Sequence, residues 1–224
     1  MTNKNSYNEF DFTVVGAGIL GLSTALEYQK KFPNKKILII EKESNIFKHQ
    51  SGRNSGVIHS GIYYKPGSFK AKNCIKGYKK LISFADKYSI PYEITGKLIV
   101  AVEKNQIYSL KTLLKYGNEN GLTNLKLLNK EEIQKIEPYC TNSLKALYVP
   151  QAGIIDYNKV GFKLVELLKK GGSSFCFKTE VIDIINRNKC VEIKTKKKSI
   201  YSKKTVVCGG VYSDRFIFSS LKKK

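Results

Sequence analysis

Residues 10–43 read FDFTVVGAGILGLSTALEYQKKFPNKKILIIEKE. Phe10 to Val15 is a short β-rich run, and the glycines of GAGILG stop it. Ile19, Leu20, Leu22, Ala25, Leu26 and Tyr28 then recur at helical spacing until Phe32-Pro33-Asn34 ends the pattern. Ile37 to Ile40 is a continuous apolar run closed by Glu41. Strand, helix and strand within about 30 residues make a βαβ unit, and Gly16, Gly18 and Gly21 sit where its first strand turns into its helix. In that place the first glycine allows the tight turn, the second lets a pyrophosphate approach the backbone, and the third lets the helix pack on the strand. Glu41 stands twenty residues after Gly21, at the end of the second strand, where a carboxylate accepts hydrogen bonds from ribose hydroxyls. A lone G-x-G-x-x-G is weak, but here spacing and context agree. The stretch predicts a dinucleotide site for FAD or NAD.

The next segment bears on which dinucleotide. About ten residues beyond Glu41 the chain enters SGRNSGVIHSGIYYKPGS (51–68), a loop of small residues around His59 and followed by Tyr63 and Tyr64. FAD is the longer cofactor, and a second glycine-rich loop would let its ring system lie against backbone. The remaining periodicity predicts helices over 69–88, 106–116, 130–136 and 158–170. It predicts strands over 97–102, 126–128, 180–185, 190–195 and 199–207.

Bulk properties narrow the class. The chain has 224 residues, and a 42% hydrophobic content can supply a buried core for one large domain or two modest ones. Its first ten residues are polar, and no run reaches the roughly 18 apolar residues of a spanning helix. A cytoplasmic protein is expected. The formal charge is +22, but arginine occurs only at 53, 187 and 215 while lysine is spread throughout. Specific phosphate and base readers favour arginine forks, so solvated lysine faces are expected rather than a nucleic-acid groove. The densest run, KTKKKSIYSKK (194–204), reads as a charged hairpin tip, with a peripheral contact to the inner face of a membrane as a weaker expectation. Cys74, Cys140, Cys176, Cys190 and Cys208 are odd in number and never spaced as C-x-x-C, which fits neither a disulfide framework nor a metal site. They read as buried thiols.

HQSGRNSGVIHSGIYYKPGSFKAKNC (49–74), together with DFTVVGAGILGLSTA, LIIEKE, GIIDY (153–157) and VVCGGVYSDR (206–215), resembles the FAD-dependent L-2-hydroxyglutarate dehydrogenases and oxidases of the D-amino-acid-oxidase-like (DAO) superfamily. The resemblance covers roughly residues 10–218. It implies an α/β fold in which a Rossmann-like FAD-binding domain (1–80 and 150–218) is interleaved with an incomplete mixed-sheet substrate domain (81–149), followed by a basic tail at 219–224. It also implies that Ser51, Arg53, Asn54 and Ser55 line the path from pyrophosphate to flavin, that the Val181 backbone meets the adenine, and that Gly209 and Gly210 pass close to the cofactor. The implied reaction oxidises the C2 hydroxyl of L-2-hydroxyglutarate to 2-oxoglutarate, with hydride leaving C2 for flavin N5.

His59 is the candidate base, one of two histidines in the chain. A structural role under the flavin or a covalent attachment point stands equally open for it. Tyr63 and Tyr64 are candidate donors to a substrate carboxylate, with core packing the alternative for at least one. Other expectations are a related DAO-like oxidoreductase of the glycerol-3-phosphate or amino-acid oxidase type, or a non-catalytic polyanion-binding fragment. The family pattern continues beyond a segment like VYSDR, so the resemblance further implies a truncated chain, inactive alone and completed by a complementary C-terminal chain or by self-association.

Overall fold

The structure is a computed structural model that describes residues 9–216; the first eight residues and the basic tail expected at 219–224 lie outside the described residues. It forms two compact units, one built from the described residues up to Asn54 together with those from Tyr157 onward, the other from Ser55–Asp156.

Along the chain, β1 (Glu9–Val15) turns into α1 (Ile19–Lys31) and returns as β2 (Ile37–Ile40). The second unit continues with β3 (Val57–Ile58), α2 (Phe69–Lys87), β4 (Tyr92–Glu93), β5 (Lys97–Ala101), α3 (Gln106–Glu119), β6 (Lys126–Leu128), α4 (Lys130–Ile136), β7 (Lys145–Val149) and β8 (Gly153–Ile155). The chain then re-enters the first unit through α5 (Tyr157–Lys170), β9 (Ser174–Cys176), β10 (Val181–Asn186), β11 (Val191–Thr195) and β12 (Ser199–Val207).

In the first unit one six-stranded sheet runs in the order β10-β11-β12-β1-β2-β9. The four strands from β12 to β9 are parallel, whereas β10, β11 and β12 pair antiparallel. All four residues of β2 are buried, as a parallel strand covered on both faces requires. Val15, Leu38, Ile40, Val181, Ile193 and Ile200 form one core cluster across these strands. Helix α1 buries Gly21, Leu22, Ala25, Leu26 and Gln29, a stripe at helical spacing. The one polar side chain in that stripe is bonded: Gln29 Nε2 donates to Leu168 O at 3.0 Å and to Ser173 Oγ at 2.8 Å, tying α1 to the end of α5.

In the second unit every pairing is antiparallel, in two three-stranded sheets of order β3-β8-β4 and β5-β7-β6. The mixed pairing of this α/β protein therefore lies in the first unit's sheet. Ile62, Ala101, Leu110, Leu147 and Val149 form the core beneath α3. Helix α4 is fixed at its start by a capping box, in which Asn129 accepts from the Glu132 N–H and the Glu132 carboxylate accepts from the Asn129 N–H.

Three sequence expectations change. Residues 55–80 and 150–156 belong to the second unit, because β3 pairs with β8 and Ile62 enters the core of α3 and β7. The run 194–204 is not a hairpin tip as a whole. Lys194 and Thr195 end β11 and residues 199–204 lie within β12, so only 196–198 turn. The five cysteines are free but half-buried rather than buried. No helix among the described residues is long and apolar enough to cross a membrane.

Removing the Gln29 amide takes away the donor to the buried Ser173 hydroxyl and leaves Leu168 O with the Ser173 N–H alone. Gln29→Ala should lower the unfolding free energy by about 1–3 kcal/mol, seen as a fall in the urea midpoint. An unchanged midpoint would contradict the assigned link between α1 and α5.

Candidate functional site

The C-terminal ends of the parallel strands β12, β1 and β2 lie side by side in the first unit, the position at which open α/β sheets take ligands. Gly16 N donates to Ile40 O and Cys208 N donates to Val15 O, each at 2.8 Å, so the three strands hand over to their turns in register. Gly16 has φ +108, and a Cβ on it would run into the Cys208 carbonyl. A Cβ on Gly21 would run into the Gly16 carbonyl. Both positions exclude a side chain by contact, and Gly16 also by conformation.

Gly18 is the N-cap of α1 and brings no capping side chain. Ser51 replaces it from another segment: its Oγ accepts from Ile19 N at 2.9 Å and would stand 3.2 Å from a Cβ on Gly18. The backbone face of Gly18 remains open to the cleft, at the positive end of the helix dipole. Glu41 closes the turn from the other side. Its Oε2 accepts from Ala17 N at 2.7 Å and its Oε1 from Glu43 N at 3.0 Å, which fixes the carboxylate at the cleft wall with lone pairs to spare for hydroxyl donors.

The cleft so bounded has a volume of about 660 Å³, large enough for an extended cofactor. Leu20, Ile182 and Val211 line it while exposing 71%, 53% and 66% of their surface, an apolar lip suited to a ring system. Cations gather at the same rim. Lys42 Nζ lies 3.8 Å and Arg215 Cζ 4.5 Å from the centroid of the Tyr212 ring, whose quadrupole holds them close to the cleft. Glu180, also on the wall, has its pKa lowered by a hydrogen bond from Lys196, by that ammonium's charge and, more weakly, by Lys42 and Arg215. A close-approach glycine, a helix N-terminus, an anchored carboxylate on the cleft wall and rim cations fit a dinucleotide.

In the second unit, residues 59–64 form a loop braced at several points. The Cys74 thiol donates to His59 O at 3.4 Å, and Asn120 Nδ2 donates to Gly61 O at 3.3 Å and to Tyr64 O at 2.9 Å. Gly61 has φ +96, and Ile62 is fully buried in the core. With Ile62 turned inward, Tyr63 is half exposed, and Lys97 Nζ sits 4.3 Å from the centroid of its ring. Partial desolvation first, and the Lys97 charge second, lower the His59 pKa below its ordinary value. Burial likewise raises the Tyr63 phenol and the Cys74 thiol.

Of the residues expected from sequence, Gly16, Gly18, Glu41, Ser51, Val181, Gly209 and Gly210 line the first unit's cleft, and Gly21 packs directly behind it. Arg53, Asn54 and Ser55 are exposed and outside that lining; Asn54 Nδ2 instead braces the preceding turn through Ser51 O at 2.8 Å. His59, Tyr63 and Tyr64 share the second unit's loop. His49 contributes to the cleft wall and pairs with Glu43 at 3.0 Å. Sequence reasoning missed Lys42, Tyr212 and Arg215 at the cleft and Lys97 at the loop. In a lysine-rich chain no local pattern sets these cations apart. Among the described residues no cluster of three or more His, Cys, Asp or Glu could hold a metal.

Residues 11–224 match the family described as FAD dependent oxidoreductase (DAO). The chain is 42% identical over 207 residues to an L-2-hydroxyglutarate dehydrogenase of Indibacter alkaliphilus, covering 92% of this chain and 52% of that relative. It is 39% identical over 222 residues to the mitochondrial L-2-hydroxyglutarate dehydrogenase of Homo sapiens, covering 94% of this chain and 48% of that one. The chain thus spans about half the length of the curated relatives it matches. Among solved structures, it is similar to L-alpha-glycerophosphate oxidase from Mycoplasma pneumoniae with FAD bound, at a TM-score of 0.86 and 26% identity, covering 96% of this chain and 57% of that chain. Glycine oxidase from Geobacillus kaustophilus shares the fold at a TM-score of 0.86 and 18% identity, over 94% of this chain and 58% of that one.

The His59 assignment has a direct measurement. In an NMR titration its ring protons should report a midpoint below the ordinary imidazole value, and Lys97→Met should raise that midpoint by removing the nearby positive charge while leaving most of the burial. A midpoint that does not move would contradict the electrostatic link.

Proposed function

Because the chain belongs to the FAD dependent oxidoreductase (DAO) family, we propose that the protein oxidises the C2 hydroxyl of L-2-hydroxyglutarate to give 2-oxoglutarate. The observation that carries the substrate is the identity of about 40% with L-2-hydroxyglutarate dehydrogenases, sustained over more than nine-tenths of the chain. The cleft supports the cofactor half of this reading. FAD, when bound, supplies the two-electron acceptor for hydride from C2.

The chain's own residues have separable tasks in the proposal. The backbone at Gly18 and the start of α1 receive the pyrophosphate, and Lys42 and Arg215 balance its charge at the rim. Glu41 accepts from ribose hydroxyls through oxygens already anchored on Ala17 N and Glu43 N. Val181, Gly209 and Gly210 offer backbone to the adenosine and pyrophosphate portions, and Ser51 holds the helix start in place. Arg53, Asn54 and Ser55 enter the proposal, with Ser51, as residues along the path from pyrophosphate to flavin. His59 receives the substrate hydroxyl proton, a task supported by a lowered pKa that favours the neutral, proton-accepting imidazole. Tyr63 and Tyr64 donate to a substrate carboxylate.

A second reading, a glycerol-3-phosphate or amino-acid oxidase, draws support from the shared fold. Polyanion binding, motivated by the charge of +22, is a third, and nucleic-acid affinity that survives physiological salt would favour it. Anaerobic reduction of protein-bound FAD, followed by loss of its visible absorbance, separates the enzymatic readings. L-2-Hydroxyglutarate should bleach it, whereas glycerol 3-phosphate and glycine should not; the reverse pattern overturns the substrate. Gly18→Val, which places methyl groups where the pyrophosphate would lie against the backbone, should abolish flavin retention. Normal flavin content in that variant would overturn the cofactor site.

A further inference from the structure

Lys97 differs in setting from the many lysines on solvated faces. It opens β5 opposite Val149 and is half-buried. The preceding Gly96 fixes its direction: with φ +71 its N–H donates to Ala152 O at 2.9 Å, and a Cβ there would stand 2.8 Å from the Tyr148 ring. The ammonium therefore leaves the strand at a defined angle and comes to rest over the Tyr63 ring, 4.3 Å from its centroid. Among the described residues it forms no ion pair with a carboxylate, whereas Lys30, Lys163, Lys196 and Lys203 each have one.

Among the described residues half-buried Lys194 also forms no ion pair, but of the two only Lys97 has its ammonium over an aromatic ring, in a loop braced at several points. The ring face attracts the charge but accepts none of the three N–H donors in a conventional hydrogen bond. Cys74, which interacts with Lys97 electrostatically, is no substitute, because burial holds its thiol in the neutral form. Burial also lowers the Lys97 pKa, a cost that an arriving anion would offset. The same loop contains a further open valence: Ser60 is 3% exposed, and its Oγ has no hydrogen-bond partner among the described residues. Packing alone would be met by an apolar side chain of the same length over Tyr63.

We propose that Lys97, aligned on the Tyr63 ring beside the His59 loop, is an anion anchor that takes a carboxylate of the substrate. This rests on the 2-hydroxy-acid reading above and adds the residue that selects an acid. In this role Lys97 touches substrate, and the Tyr63 ring face holds its ammonium in place while the Tyr63 hydroxyl keeps its own proposed contact. The anchor serves substrate and product alike, because oxidation at C2 leaves both carboxylates of the molecule unchanged.

Binding of 2-oxoglutarate to the 224-residue protein, measured by calorimetry, tests the anchor without requiring turnover. Lys97→Met removes the charge-assisted hydrogen bond and should weaken binding by about tenfold or more, while Lys97→Arg should retain most of it. Melting curves establish that both variants are folded. If Lys97→Met is unfolded, differential acetylation of Lys97 in the wild-type protein replaces it, with 2-oxoglutarate expected to protect that amine. Undiminished binding by a folded Lys97→Met, absence of protection, no binding by the wild type, or binding of inorganic phosphate in place of 2-oxoglutarate would each overturn the inference. The reaction reading fails separately: bound FAD left oxidised by L-2-hydroxyglutarate, with 2-oxoglutarate binding still dependent on Lys97, removes the reaction and keeps the anchor.

Discussion

The first unit depends on the close approach of three backbones where β1, β2 and β12 end. Gly16 lies so near the Cys208 carbonyl, and Gly21 so near the Gly16 carbonyl, that neither tolerates a side chain. Bare backbone at both positions starts α1 directly beneath the strand ends, brings Ala17 N within 2.7 Å of Glu41 Oε2, and lets Ser51 reach the first helical N–H. Without the approach there would be a sheet and a helix but no surface at which backbone donors, a carboxylate and rim cations converge.

The second unit positions its chemistry by a different device. There a short loop is pinned from outside its own hydrogen bonding, by Ile62 in the core, by the Asn120 amide on two carbonyls and by the Cys74 thiol on a third. Such bracing holds His59 and Tyr63 where Lys97 can act on both. One lysine therefore influences an imidazole by its charge and a phenol ring by lying over its face. The general excess of lysine would obscure this electrostatic arrangement in any whole-chain charge argument.

Much of this was legible in the sequence where local physics decides the outcome. The βαβ unit, the glycine turn and Glu41 emerge from periodicity and spacing, and α4 falls at its expected bounds because Asn129 and Glu132 form a capping box. β3, β4, β7, β8 and β9 were missed. They are two to five residues long and are defined by partners far away in the chain, as β8 is by both Val57–Ile58 and Tyr92–Glu93. The division after Asn54 escaped notice for the same reason, since pairing of β3 with β8 draws the small-residue loop into the second unit. Lys97, Lys42 and Arg215 could not be singled out, because their roles come from the aromatic rings that tertiary packing places beneath them.

The central proposal is that the glycine turn and Glu41 together form one dinucleotide site, and a crystal structure of the protein grown with FAD tests it most directly. The pyrophosphate is expected against Gly18 and the start of α1, with ribose oxygens within hydrogen-bonding distance of Glu41. A dinucleotide bound elsewhere, or an adenosine ribose that leaves Glu41 bonded only to Ala17 N and Glu43 N, would contradict it.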